Sequence, residues 1–173
     1  MPYVHDLRCR VRGRRVSSRF FTARQATRPV LLDIPLYRQW DSHSCSFLAA
    51  LAVIRYFAPR TPVMDVLRAS STCGCDWRGL VDSLSQFGIV AKYRKRLDLR
   101  TLRRLTADGK PMIVTVYPEG YAGDHWTVIR GVDLRTRRVH LTNYEEADAD
   151  GSMAWATFLS DWSPRGGGWV CEQ

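Results

Sequence analysis

The chain has 173 residues, which favours one folded domain with a core of its own. Its 45% hydrophobic and 25% charged residues exclude wholesale disorder, a collagen-like repeat and a long coiled coil. No window approaches about 18 consecutive apolar residues, so no membrane-spanning helix is predicted and no membrane partner is expected.

The net charge of +9 is concentrated at the N-terminus. Residues 1–28 contain eight arginines and a single acid, Asp6, and contribute +7 of that charge. We interpret residues 1–28 as a basic N-terminal arm and residues 29–173 as the folded domain. Weak, non-specific contact of the arm with nucleic-acid phosphates is expected, although an organelle presequence has a similar composition.

The first long element is a helix. Residues 45–58 are nearly all apolar and rich in alanine and leucine, which is typical of a helix rather than a strand. The segment is apolar on every side, so it is predicted to be the buried central helix of the fold. Pro59 ends it, and Asp41, Ser42 and Ser44 are each candidates for its N-terminal cap.

Three shorter helices and one exposed strand follow, each bounded by capping or turn residues. The helices are predicted over 61–68, 76–87 and 98–109, and the strand over 89–95.

From Met112 the pattern changes to β-branched residues. Strands are predicted over 112–117, 125–133 and 139–144, with a turn between the last two. Helices first and strands afterwards indicate an α+β fold rather than alternating βαβ units. The glycines at 166–168 predict a flexible turn near the C-terminus.

Cys45 lies at the amino end of the predicted central helix. The helix dipole and the unpaired N–H groups stabilise a thiolate at that position, so the pKa of Cys45 is expected to be lowered. A thiolate is a nucleophile, and Cys45 is therefore a candidate catalytic residue. The alternative is a small buried hydrophobic residue, a common role for a free cysteine.

His125 is the candidate base for that nucleophile. It begins a predicted strand directly after the flexible segment 119–124, where a side chain can face a cleft. Asn143 lies on the neighbouring strand and points to the same face if the register pairs it with an odd-numbered residue. Its amide would then orient the imidazole, as the third member of a Cys-His-Asn triad. Separately, the two residues could be a core histidine and a turn-forming asparagine.

Gln39 lies six residues before Cys45, in the polar loop that enters the helix. Its side-chain amide and the Cys45 backbone N–H could together hold a developing oxyanion. An ordinary surface glutamine is the alternative.

Five cysteines without framework spacing, and an N-terminus without an apolar signal-peptide core, indicate a reducing, cytoplasmic location. Cys73-Gly74-Cys75 is too tight for half of a zinc site, and no cofactor or metal is expected.

The chain resembles the C39-like cysteine peptidases of the papain-like fold. The resemblance lies in the order of Gln39, Cys45, the apolar helix and His125-Trp126-Thr127-Val128-Ile129. Further similarity spans most of the chain and is found at Thr72, Gly74, Leu80, Leu84, Gly88, Gly109–Val114, Phe158 and Trp162.

The resemblance implies an α+β papain-like fold: a buried central helix with the cysteine, then an antiparallel sheet with histidine and asparagine. It also implies Cys45 as nucleophile, His125 as base, Asn143 as orienting residue and Gln39 as oxyanion donor. Ser46 replaces the usual glycine after the nucleophile, and Asn143-Tyr144 replaces the usual Asp-Pro. The membrane and ATP-binding parts of the bacteriocin exporters are not found here, so their leader-peptide substrates are not inferred.

The expected function is a cysteine peptidase that hydrolyses a peptide or isopeptide amide in a peptide or protein substrate. One alternative is a papain-fold acyltransferase or transpeptidase that uses the same residues. The other is a non-catalytic binding module whose basic arm contacts nucleic acid.

Overall fold

The computed structural model describes residues 29–39, 41–70, 76–117, 123–144, 147–162 and 166–173. The basic arm and Cys73-Gly74-Cys75 lie outside these residues. In chain order the elements are β1 (Val30–Leu31), α1 (Cys45–Phe57), α2 (Val63–Ala69), α3 (Trp77–Ser85), β2 (Val90–Arg94), α4 (Leu99–Ala107), β3 (Met112–Val116), β4 (His125–Asp133), β5 (Arg138–Thr142), β6 (Ser152–Ala154), α5 (Trp155–Asp161) and β7 (Gly168–Glu172).

Helix α1 is the buried helix that the sequence predicts. Every residue from Cys45 to Ile54 is buried, because the run offers no charged side chain that would need to reach solvent. The first charged side chain, Arg55, lies in the last turn, where it complements the helix dipole.

The described strands form one seven-stranded sheet with the order β2-β7-β3-β4-β5-β6, and β1 pairs with β4. All pairings between these strands are antiparallel. Strand β4, which begins at His125, therefore lies in the interior of the sheet. The predicted α+β class with an antiparallel sheet is confirmed.

The sheet separates two hydrophobic cores. On one face α1 packs with Trp126 and Val128 of β4, and on the other Ile129 packs with α4 and α5. This division follows from the alternation of side chains along a strand. Because α4 and α5 lie on the second face, helices cover both sides of the sheet.

Three elements near the C-terminus are absent from the sequence-based prediction: β6, α5 and β7. The last strand, β7, inserts between β2 and β3. The prediction of a flexible turn at 166–168 is wrong for Gly168, which begins β7. A Cβ atom at Gly168 would lie 2.8 Å from Val114 Cγ1 and 2.9 Å from the Ile113 carbonyl oxygen. Glycine is therefore required there for the close approach of two strands.

Candidate active site

A short loop fixes the start of α1. The carboxylate of Asp41 accepts hydrogen bonds from the backbone N–H groups of His43 at 2.6 Å and Ser44 at 2.7 Å. These bonds, the one from His43 foremost, lower the pKa of Asp41. Ser44 is the N-cap residue, and it makes no side-chain capping bond. The loop delivers Cys45 as the first residue of the helix, as the sequence predicts.

Cys45 is 8% exposed, and it lies at the wall of an open cleft of about 710 Å³. We call this space the thiol cleft. Its lining includes two carboxylates and four aromatic side chains: Asp76, Asp124, Trp77, Tyr117, Trp126 and Trp169.

The environment of the thiol raises its pKa. Burial is the main cause, and the negative charge of Asp124 acts in the same direction. Backbone hydrogen bonds from Trp126 and Ser46 lower the pKa, but they do not outweigh burial. The expected lowering by the helix N-terminus is therefore wrong for the resting protein, because desolvation of the thiolate outweighs the donors around it.

His125 is the first residue of β4 and is 7% exposed. Its chain neighbours, Asp124 and Trp126, both act on the Cys45 thiol, so the start of β4 passes beside the start of α1. The His125 Nε2–H donates to the backbone carbonyl of Asn143 at 2.5 Å. In this tautomer Nδ1 holds the lone pair, as a general base requires.

Asn143 links the two halves of the site. Its Nδ2 donates to the backbone carbonyls of Trp126 at 3.1 Å and Cys45 at 3.4 Å. Asn143 has a left-handed φ of +61°, a conformation that asparagine tolerates better than most residues. The structure differs from the sequence-based expectation in one atom: the His125 imidazole is hydrogen-bonded to the backbone carbonyl of Asn143, not to its side-chain amide.

Gln39 lies beside Asn143 on a second cavity of about 350 Å³. Its Nε2 donates to the backbone carbonyl of Asp41, within the loop that precedes α1. Its Oε1 is buried and has no hydrogen-bond partner among the described residues. The structure therefore places Gln39 beside Asn143 but not in the lining of the thiol cleft, with its amide bonded to the loop.

Two contributors to the site were missed by sequence reasoning. Asp124 precedes the candidate base directly, and that adjacency could have indicated it. Trp169 reaches the thiol cleft from β7, and nothing local in the sequence indicates that this strand lies next to β3. Its position depends on long-range strand pairing.

The described part of the chain contains no cluster of three or more His, Cys, Asp or Glu side chains arranged to hold a metal ion. None of its helices has the length and hydrophobicity needed to cross a bilayer.

No protein-family model matches the chain, and no curated protein matches it in sequence. Solved structures do match its fold. One is a double glycine motif protease from an AMS/PCAT transporter, in complex with the leader peptide. It has a TM-score of 0.61 and 15% identity, over 83% of this chain and 96% of that chain.

Two further structures are peptidase domains of transport proteins. The peptidase domain of Streptococcus ComA, a bi-functional ABC transporter, has a TM-score of 0.57 and 20% identity, over 79% of this chain and 96% of that chain. The other is the N-terminal peptidase C39 like domain of a toxin secretion ATP-binding protein from Vibrio parahaemolyticus. It has a TM-score of 0.54 and 15% identity, over 77% of this chain and 99% of that chain. The described chain therefore has the fold of C39 peptidase domains, which is the papain-like fold.

Proposed function

We propose that this protein is a cysteine peptidase in which Cys45 is the nucleophile and His125 the general base. The observation that supports this best is the position of Asn143. Its side chain donates to the backbone carbonyl of Cys45, and its own carbonyl accepts from the His125 Nε2–H. One residue thus holds the start of α1 and the imidazole in a fixed relation. The C39 peptidase fold adds support for peptide hydrolysis.

In the proposed first step, the raised pKa of Cys45 means that the resting group is a thiol. His125 Nδ1 accepts the thiol proton as Sγ attacks the carbonyl carbon of the scissile amide. The resulting tetrahedral intermediate collapses, the C–N bond breaks, and His125 gives the proton to the leaving amine. The product of this half-reaction is a thioester on Cys45.

In the second step, water attacks the thioester and His125 takes its proton. The C–S bond breaks, the carboxylic acid leaves, and the proton returns to the Cys45 sulfur. In both steps the negative oxygen is held by the Cys45 backbone N–H and by Gln39 Nε2. Gln39 donates to Asp41 in the resting structure, so it exchanges that carbonyl for the oxyanion when substrate binds.

The thiol cleft supports a peptide or protein as the substrate. Trp77 and Tyr117 line it and are 48% and 50% exposed, so large apolar surfaces are available to a bound chain. The related protease bound to a leader peptide is a precedent for peptide binding by this fold.

A set of peptidyl vinyl sulfones tests the proposal, because these electrophiles react preferentially with activated peptidase thiols. We expect peptide mapping by mass spectrometry to find the label on Cys45. Cys171 is an internal control, since burial raises its pKa to about 12 and it should remain unlabelled.

His125→Ala should slow the labelling of Cys45 by about 100-fold, the scale of a lost general base. His140→Ala is the matched control, because it removes a half-buried histidine from β5, away from the thiol cleft. Equal labelling of Cys45 in the wild type and His125→Ala would contradict the proposal.

A further inference from the structure

We propose that Tyr144, anchored by Asp161, is a positioning residue that holds the His125 imidazole in its reactive orientation. This inference rests on the proposed function, because it concerns the base of that reaction. Neither residue touches the reacting atoms in the proposed mechanism.

The ring of Tyr144 packs against the imidazole. Tyr144 is 8% exposed, and its ring centroid lies 5.8 Å from that of His125, with the planes tilted by 41°. It directly follows Asn143, whose carbonyl accepts the His125 Nε2–H. The pair Asn143-Tyr144 therefore contacts the imidazole twice, by a hydrogen bond and by a ring contact.

The Tyr144 hydroxyl is itself held by a hydrogen bond to Asp161. It donates to Asp161 Oδ2 at 2.7 Å, a charge-assisted bond at the end of α5. The backbone carbonyl of Asp161 accepts from the N–H of Tyr117 at 2.6 Å, and Trp162 bridges to Val116. Asp161 is thus tied to the end of β3, the strand that pairs with β4 at His125.

These contacts have a mechanical consequence. His125 is the first residue of β4, and its side chain is buried. A buried ring beside the imidazole restricts rotation about its side-chain bonds and excludes water from the Nε2–H bond. Loss of the anchor would let the Tyr144 ring move, and the imidazole would then be less firmly held in one orientation.

The pH dependence of Cys45 alkylation by iodoacetamide distinguishes positioning from general stability. At neutral pH, below the raised pKa of Cys45, the thiolate forms mainly by proton transfer to His125; above the thiol pKa it forms without that base. Variants that misplace His125 should therefore react slowly at neutral pH and at the wild-type rate above the thiol pKa.

We expect Tyr144→Leu to slow the reaction near neutral pH by about tenfold, a smaller loss than in His125→Ala because the imidazole is displaced rather than removed. Tyr144→Phe and Asp161→Ala break the same hydrogen bond and should each slow it by about threefold, with no further loss in the double variant. Asp161→Asn keeps an acceptor for the hydroxyl and should restore the wild-type rate.

Tyr56→Phe is the matched control, since Tyr56 donates a hydroxyl hydrogen bond of 3.1 Å to the Gly109 carbonyl, outside the site. It should lower thermal stability without changing the alkylation profile. If Tyr144→Leu kept the wild-type alkylation profile while His125→Ala reacted slowly at neutral pH, the positioning role would be overturned and the proposed function would stand. A wild-type profile in His125→Ala would overturn both.

Discussion

At the scale of single residues, the candidate site contains a buried asparagine with an unfavourable backbone conformation. Asn143 adopts a left-handed conformation and is 1% exposed, and its Oδ1 lacks a hydrogen-bond partner among the described residues. A strained backbone and an unpaired polar atom in a buried residue cost free energy, and they are typical of functional sites, where the surrounding structure stabilises the less favourable local state. Here it places one residue against both Cys45 and His125.

The left-handed conformation predicts that glycine replaces Asn143 better than alanine does. Both substitutions remove the bonds to Cys45 and Trp126, but alanine also meets a steric penalty of about 1 kcal/mol at positive φ. Urea unfolding should therefore find Asn143→Ala less stable than Asn143→Gly by about 1 kcal/mol. Equal stability of the two variants would show that the left-handed conformation is not maintained.

The charge of Asp124 predicts a direct effect on the reactivity of Cys45. Its carboxylate raises the pKa of the thiol, so Asp124→Asn should lower that pKa and increase the thiolate fraction at neutral pH. Iodoacetamide should then alkylate Cys45 about threefold faster at neutral pH. Since the wild-type pKa is raised, its alkylation rate should keep rising with pH beyond about pH 9.

Asp82→Asn provides the comparison, because Asp82 is an exposed carboxylate on α3 that does not line the thiol cleft. It should leave the alkylation rate unchanged. Slower alkylation in Asp124→Asn than in the wild type would contradict the assigned sign.

The positions of Cys45 and His125 in the fold were predictable from the sequence, and their environment was not. Cys45 at a helix start and His125 at a strand start follow from local patterns that the structure confirms. The direction of the Cys45 pKa shift depends on burial beneath β4 and on Asp124, which are set by contacts between distant segments. Tertiary desolvation of this kind has no local sequence pattern.

At the scale of elements, the largest departure from expectation is β7. Its glycines are typical of a turn, yet Gly168 begins a strand packed between β2 and β3. Helices α1, α3 and α4 were predictable because apolar spacing and caps identify them locally; Asp76 and Asp98 cap α3 and α4. A strand such as β7, which inserts between two earlier strands, can be predicted only when its pairing partners are known.

The close approach at Gly168 predicts a costly alanine substitution. A methyl group there would overlap Val114 and Ile113, so Gly168→Ala should lower the free energy of unfolding by about 2 kcal/mol. Gly123→Ala is the matched control, since a Cβ at Gly123 meets no atom within 4 Å. It should change stability by less than about 0.5 kcal/mol. Similar urea midpoints for the two variants would contradict the packing of β7 against β3.

At the scale of the whole molecule, the sheet brings together segments that lie far apart in the sequence. The start of α1, the start of β4 and the end of β5 meet at one edge of the site, while α5 supports it from the second core. The fold class followed from the order of helices and strands. The support from α5 did not, because this short helix follows Ala154, which is not a capping residue, and so has no local start signal.

The uneven charge predicts a separable role for the basic arm, which lies outside the described residues. The full-length chain should bind DNA or RNA weakly at low salt and largely lose that binding at physiological ionic strength. A chain starting at residue 29 should not bind, and its Cys45 labelling should be unchanged. Tight binding that survives physiological salt would instead favour a nucleic-acid function for the arm.

Peptidase activity is tested most directly by cleavage of a peptide library derived from whole-proteome digests, read by mass spectrometry of the new termini. We expect cleavage by the wild type and by His140→Ala, and complete loss of it in Cys45→Ser and His125→Ala, with circular dichroism showing all four folded. Cleavage that persists in folded Cys45→Ser, or a folded wild type that cuts no peptide, would contradict the assignment of a cysteine peptidase.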